Sequence, residues 1–137
     1  MTEKTPHNNH IRILVVDDEE IITFTLAAFL EDRGYTVLVA NNGNQAIKII
    51  KKESLNLAIV DIRLRGVDGN TFILKAHELQ PELKFLIHTG SMTYSIPSEL
   101  ADLGVTNEDI LLKPIRNFDA LFKIIERKMK QIPEKSK

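Results

Sequence analysis

The sequence contains no cysteine, so neither a disulfide framework nor a thiolate metal site is open to it. It has no tryptophan and only two tyrosines. No apolar run approaches the roughly 20 residues that a membrane-spanning helix needs. The longest, Ile11 to Val16, is broken by Arg12. The first ten residues are polar and lack the apolar core of a secretory signal. Neither sign of charge prevails: 18 Lys and Arg stand against 19 Asp and Glu, for a net charge of -1. A basic footprint for nucleic acid is therefore missing. These absences leave a cytoplasmic globular protein, with no direct contact to nucleic acid or membrane expected.

What is present fits one domain. The 137 residues, 43% hydrophobic and 27% charged, suffice for a single good core. There are no internal repeats and no low-complexity linker. The expected organisation is a flexible leader over residues 1–10, one domain over 11–131 and a short charged tail over 132–137.

Short apolar strands alternate with helical spacing along the chain. Ile11 to Val16, Tyr35 to Ala40, Leu57 to Val60, Lys84 to His88 and Ile110 to Leu112 read as strands. Between and after them the spacing predicts helices. Ile22, Leu26, Phe29 and Leu30 mark the first, with Gly34 at its C-terminal end. Ala46, Ile47 and Ile50 mark the second. Phe72, Ile73, Ala76 and Leu79 form the inward face of a third over Gly69 to Leu79. A weak, short fourth helix is expected near Pro97 to Leu103, and Phe118 to Met129 gives an amphipathic fifth. Five such alternations predict a doubly wound α/β domain, a parallel sheet covered on both faces. In such sheets ligands bind beyond the carboxyl ends of the strands, where the strand order reverses.

The polar residues with chemical potential all stand at strand ends. Asp17 and Asp18 follow the first strand, Asp61 the third, Thr89 the fourth and Lys113 the fifth. Parallel strands would bring all five together. Three crowded carboxylates are costly unless something positive joins them. Hard oxygen donors at a shallow cleft suit Mg2+. Lys113 adds positive charge, and the Thr89 hydroxyl can donate to an anion. The set has the makings of a phosphoryl-transfer site around a carboxylate nucleophile.

Four fragments carry a family resemblance: ILVVDDEE, LAIVDIRLRGVDGNTF, FLIHTGS and ILLKPI. In this order and spacing they resemble the receiver domain of two-component response regulators, over about Ile11 to Lys130. The resemblance implies a flavodoxin-like (βα)5 fold with strand order 2-1-3-4-5. It implies that Asp61 is the phosphoacceptor and a metal ligand. Asp18 would be the second carboxylate ligand, Asp17 the acid holding a metal-bound water, and the backbone carbonyl of Arg63 the remaining ligand. The metal would be Mg2+, or Mn2+. Lys113 would pair with the phosphoryl group and Thr89 would be the switch hydroxyl. Gly69 would open the third helix, and the Lys113–Pro114 bond would be cis. The implied donor is a sensor histidine kinase or phosphotransfer protein. The implied product is a signalling switch that acts on a downstream partner, not a turnover enzyme. The implied output surface, open to homodimer formation, is built by the fourth helix, fifth strand and fifth helix.

The chain departs from the family at three places. The position three before the Lys, often aromatic, is Ile110, which has no ring to reorient. The position four after the phosphoacceptor, usually Pro, is Arg65. Ser91 to Asp109 lacks the usual pattern and predicts a shortened or displaced fourth helix. These departures leave room for an interaction module that no longer needs phosphorylation. A phosphatase with an Asp nucleophile wants Asp-x-Asp after its first strand, and here Asp17 and Asp18 are contiguous. A dinucleotide-binding role lacks Gly-x-Gly-x-x-Gly. Of the histidines, His7 and His10 fall in the leader and His77 among polar helix residues. His88 reads as a satisfied, partly buried strand residue.

Overall fold

A computed structural model describes residues 11–130; the expected leader and all of the expected charged tail lie outside them. Five strands alternate with five helices: β1 (Arg12–Val16), α1 (Glu20–Asp32), β2 (Thr36–Ala40), α2 (Gly43–Lys52), β3 (Leu57–Asp61), α3 (Gly69–Leu79), β4 (Lys84–Thr89), α4 (Ser98–Ala101), β5 (Ile110–Leu112) and α5 (Phe118–Met129). All strand pairs are parallel, in the order β2-β1-β3-β4-β5. This is the flavodoxin-like arrangement. The order reverses between β1 and β3, and the carboxyl ends of these two strands carry Asp17 and Asp61.

The strand sequences are almost continuously apolar because both faces of the sheet are covered. Leu14, Val16, Ala58, Val60, Phe85 and Ile87 face α2, α3 and α4. Ile13, Val15, Leu57, Ile59, Leu86 and Leu111 face α1 and α5. Local signals set the helix ends. Asn42 caps α2 by accepting from Gln45 N–H, and Asp68 caps α3 by accepting from Thr71 N–H. Gly34 takes the left-handed conformation just past α1, with φ 99°.

Two residues expected inside lie at the margin. Phe29 is 44% exposed and stacks on Phe118, the first residue of α5, with ring centroids 4.0 Å apart. Leu79 is 42% exposed at the last position of α3. The fourth helix is shorter than the spacing predicts, a single turn from Ser98 to Ala101. It follows Pro97, is anchored by the fully buried Leu100, and runs out through turns to Gly104, whose φ is 97°. Residues 90–97 form no helix.

Candidate functional site

Each strand that reaches the carboxyl edge delivers a polar side chain there. Asp61 is the last residue of β3 and Thr89 the last of β4, while Asp17 and Lys113 follow β1 and β5 directly. Carboxylate oxygens of Asp17, Asp18 and Asp61 lie within 4.8 Å of one another. The Lys113 ammonium bridges two of these acids, with Nζ 2.9 Å from Asp17 Oδ2 and 3.2 Å from Asp61 Oδ2. The remaining oxygen of each buried acid takes a backbone donor. Glu19 N–H donates to Asp17 Oδ1 at 3.0 Å, and Arg63 N–H to Asp61 Oδ1 at 3.1 Å. Asp18 faces the exposed Arg65 at 3.5 Å. A cleft lined by Asp18, Glu19, Asp61, Arg63, Thr89, Gly90, Ser91 and Lys113 opens over the group.

The electrostatics of this cluster are unbalanced. Three carboxylates share one partly buried ammonium, and Arg65 is too solvated to add much. Burial raises the Asp61 pKa above the ordinary Asp value. The nearby Asp17 raises it further, while Arg63 N–H and Lys113 oppose. Burial lowers the Lys113 pKa, but its pairing with Asp17 and Asp61 outweighs that and holds it above the usual Lys value. Asp17 Oδ2 is buried against the Lys113 ammonium at 2.9 Å, the same ammonium that serves Asp61. An all-oxygen donor set of three clustered carboxylates with excess negative charge fits a hard divalent cation such as Mg2+.

Thr89 is buried at the cleft wall, and its Oγ1 accepts from Ser91 N–H at 3.1 Å. The Lys113–Pro114 bond is cis. Ile110 stands apart from the cleft: it opens β5, pairs with Ile87 and packs against the core on the α3 side. Three neighbours escaped the sequence reading. Asn41 Nδ2 donates to the Asp17 carbonyl at 3.0 Å and to Thr23 Oγ1 at 3.2 Å, but in the sequence it belongs to an ordinary turn signal. Ser91 and Arg65 lie in loops whose course no periodicity predicts. His88 is buried in its strand as expected, yet its Nε2 has no hydrogen-bond partner among the described residues.

A family model, the response regulator receiver domain, matches residues 13–126. The chain belongs to this family. The receiver chain is 33% identical over 121 residues to the transcriptional regulatory protein ZraR of Escherichia coli, covering 88% of this chain and 26% of that protein. It is 33% identical over 119 residues to an NtrX-like response regulator of Rickettsia bellii, covering 85% and 24%. It thus spans about a quarter of the length of these curated relatives. Among solved structures it resembles a CheY-like receiver domain protein from Methanospirillum hungatei, at 33% identity and TM-score 0.76, covering 93% and 98% of the two chains. A Burkholderia pseudomallei response regulator, solved with a phosphorylated aspartic acid and a calcium ion, aligns at 28% identity and TM-score 0.74, covering 92% and 72%. TrrA of Thermotoga maritima, in complex with Mg2+ and BeF, aligns at 29% and 0.72, covering 86% and 98%.

In this receiver domain Gly69 locks the loop beneath the site to the end of β3. A Cβ placed there would lie 2.5 Å from the Asp61 carbonyl oxygen and 2.6 Å from Ile62 Cα. Both are backbone atoms, so neither can turn away. Gly69→Ala should lower stability by about 1–3 kcal/mol, the usual cost of overpacking. A urea unfolding midpoint equal to that of the wild type would show that the backbone yields freely here.

Proposed function

We propose that this receiver domain is a phosphorylation-controlled switch in two-component signalling, with Asp61 as the acceptor of a phosphoryl group from a histidine kinase or phosphotransfer protein. The observation that carries the reading is the seat of Asp61. It is a buried, basic carboxylate at the sheet's switch point, held by Arg63 N–H on one oxygen and Lys113 on the other. An Asp61 oxygen attacks the phosphorus of a phosphohistidine, the P–O bond forms and the P–N bond breaks. The imidazole leaves with the N–P electron pair. Lys113 stabilises the charge that grows on the phosphoryl oxygens. Asp17, Asp18, Asp61 and the backbone carbonyl of Arg63 would hold Mg2+ or Mn2+, which supplies the remaining charge neutralisation. The phosphorylated aspartic acid of the Burkholderia protein and the Mg2+–BeF complex of TrrA support this assignment by analogy.

The phosphoryl group ends on the chain's own side chain, so the domain acts as a switch and not as a turnover enzyme. Thr89 would transmit the change by donating its hydroxyl to the phosphoryl group. The α4, β5 and α5 face, where Leu112 is 45% exposed, would meet the downstream partner or a second copy. We place the domain in the cytoplasm at residues 11–131; no helix among the described residues is long and apolar enough to cross a membrane.

Incubation with Mg2+ and acetyl phosphate, followed by intact mass measurement, tests the reading. One phosphoryl group should be gained, and none when the metal is chelated. Arg63 carries a second test. Its side chain is exposed at the cleft and has no ion pair among the described residues. A guanidinium there can hold a phosphoryl oxygen and obstruct water. Arg63→Asn should shorten the life of the phosphorylated form severalfold, and unchanged decay would remove Arg63 from this role.

A further inference from the structure

Of the eight residues between β4 and α4, the first five, 90–94, are tied at both ends to the candidate site. At one end Ser91 N–H donates to Thr89 Oγ1 at 3.1 Å. Ser91 is tied in turn to Thr93, whose N–H donates to Ser91 Oγ at 3.3 Å, with the two hydroxyl oxygens 3.2 Å apart. At the other end the Tyr94 hydroxyl donates to Asn70 Oδ1 at 2.8 Å. Asn70 follows Gly69, which sits so close to the Asp61 carbonyl that a Cβ could not be accommodated. The first turn of α3 is therefore a fixed post, and Tyr94 moors the loop to it.

We propose that Tyr94 is a positioning residue for Thr89, and that its hydrogen bond to Asn70 latches the unphosphorylated arrangement. The proposal rests on the phosphoacceptor reading above. Thr89 Oγ1 already serves its own loop as an acceptor. To donate to a phosphoryl oxygen, Thr89 must turn its side chain, and Ser91 N–H then loses its partner or follows. The hydrogen bonds between Ser91 and Thr93 make the segment follow as a unit, and the next residue is Tyr94. Movement of Thr89 toward Asp61 therefore pulls against the Tyr94–Asn70 bond. Tyr94, Ile96 and Ile110 pack against the same core cluster. Ile110 has no ring to reorient, and Phe72 and Phe85 on this side of the sheet are fully packed in the core, which leaves the half-buried Tyr94 ring to report the switch.

The test compares wild type, Tyr94→Phe, Asn70→Ala and the double variant in the full chain, with Mg2+ and acetyl phosphate, reading the initial labelling rate by intact mass. Loss of one neutral hydrogen bond that opposes the switch should raise the rate about two- to tenfold in each single variant. The double variant should be no faster than Tyr94→Phe, because both changes remove the same bond. Phe keeps the ring packing, so the urea midpoint of Tyr94→Phe should stay near that of the wild type. A spectroscopic signature accompanies the rate. The chain has two tyrosines and no tryptophan, and Tyr35 is buried on the opposite face of the sheet. Tyrosine emission should change on phosphorylation in wild type and not in Tyr94→Phe. Equal labelling rates in wild type and Tyr94→Phe, or single effects that simply add, would overturn the latch alone. Failure of every chain to take label would overturn the phosphoacceptor reading and the latch with it.

Discussion

Asp61→Asn is expected to gain no phosphoryl group under conditions in which the wild-type chain gains one. The amide matches the carboxylate in shape, but its nitrogen carries no available lone pair and its oxygen no formal charge. The nucleophile is removed with little change in packing. The change also takes away a buried carboxylate whose pKa is raised by burial and by Asp17, so folding should be preserved or improved. Lys113 keeps Asp17 as its partner at 2.9 Å. Loss of labelling would therefore report chemistry and not collapse of the site. Divalent cation affinity should fall in the same variant, since one of three clustered carboxylates is gone. Label that survives in Asp61→Asn would place the acceptor elsewhere, with Asp18, half-buried at the cleft, the first alternative.

The parts of this site that could be foreseen are those where a polar residue interrupts an apolar strand. Asp17 and Asp61 follow or end runs of buried residues, Lys113 follows the short apolar strand β5, and parallel pairing carries such positions to one edge of the sheet. The helix positions follow from the same alternation, whereas the strand order is implied by the resemblance to receiver domains. What escaped depends on contacts between residues distant in sequence. The Tyr94–Asn70 bond spans 24 positions and the Asn41–Asp17 bond another 24. The end of α4 was blurred because Pro97 and Gly104 both punctuate the segment, leaving one turn anchored by Leu100. Phe29 was placed inside because helical spacing gives only a direction, while its stacking on Phe118 depends on where α5 returns. His88 was the hardest to place. In a strand buried on both faces, alternation no longer separates core from surface, and nothing local shows whether a ring nitrogen finds a partner.

The buried His88 is expected to make the chain's stability sensitive to mild acid. Burial, and then the Lys113 charge, lower the His88 pKa from 6.5 to about 4, with Asp17 opposing. A group whose folded pKa is depressed takes up its proton more readily in the unfolded chain. Its contribution to stability is complete above pH 6.5 and is lost as the pH falls from there through 4. A gap of this size corresponds to about 3 kcal/mol, a large share of the roughly 5–15 kcal/mol that holds a typical domain together. The side chain is only 4% exposed, so solvent screening removes little of it. Asp61 acts in the opposite sense. Its raised pKa favours the folded state at low pH, so the wild-type curve alone shows a reduced slope. The difference between wild type and His88→Gln isolates the histidine. Urea unfolding at a series of pH values should show the wild type losing stability relative to the variant between pH 6.5 and 4. Parallel curves across that window would mean that the ring is protonated as easily in the folded chain as in the unfolded one.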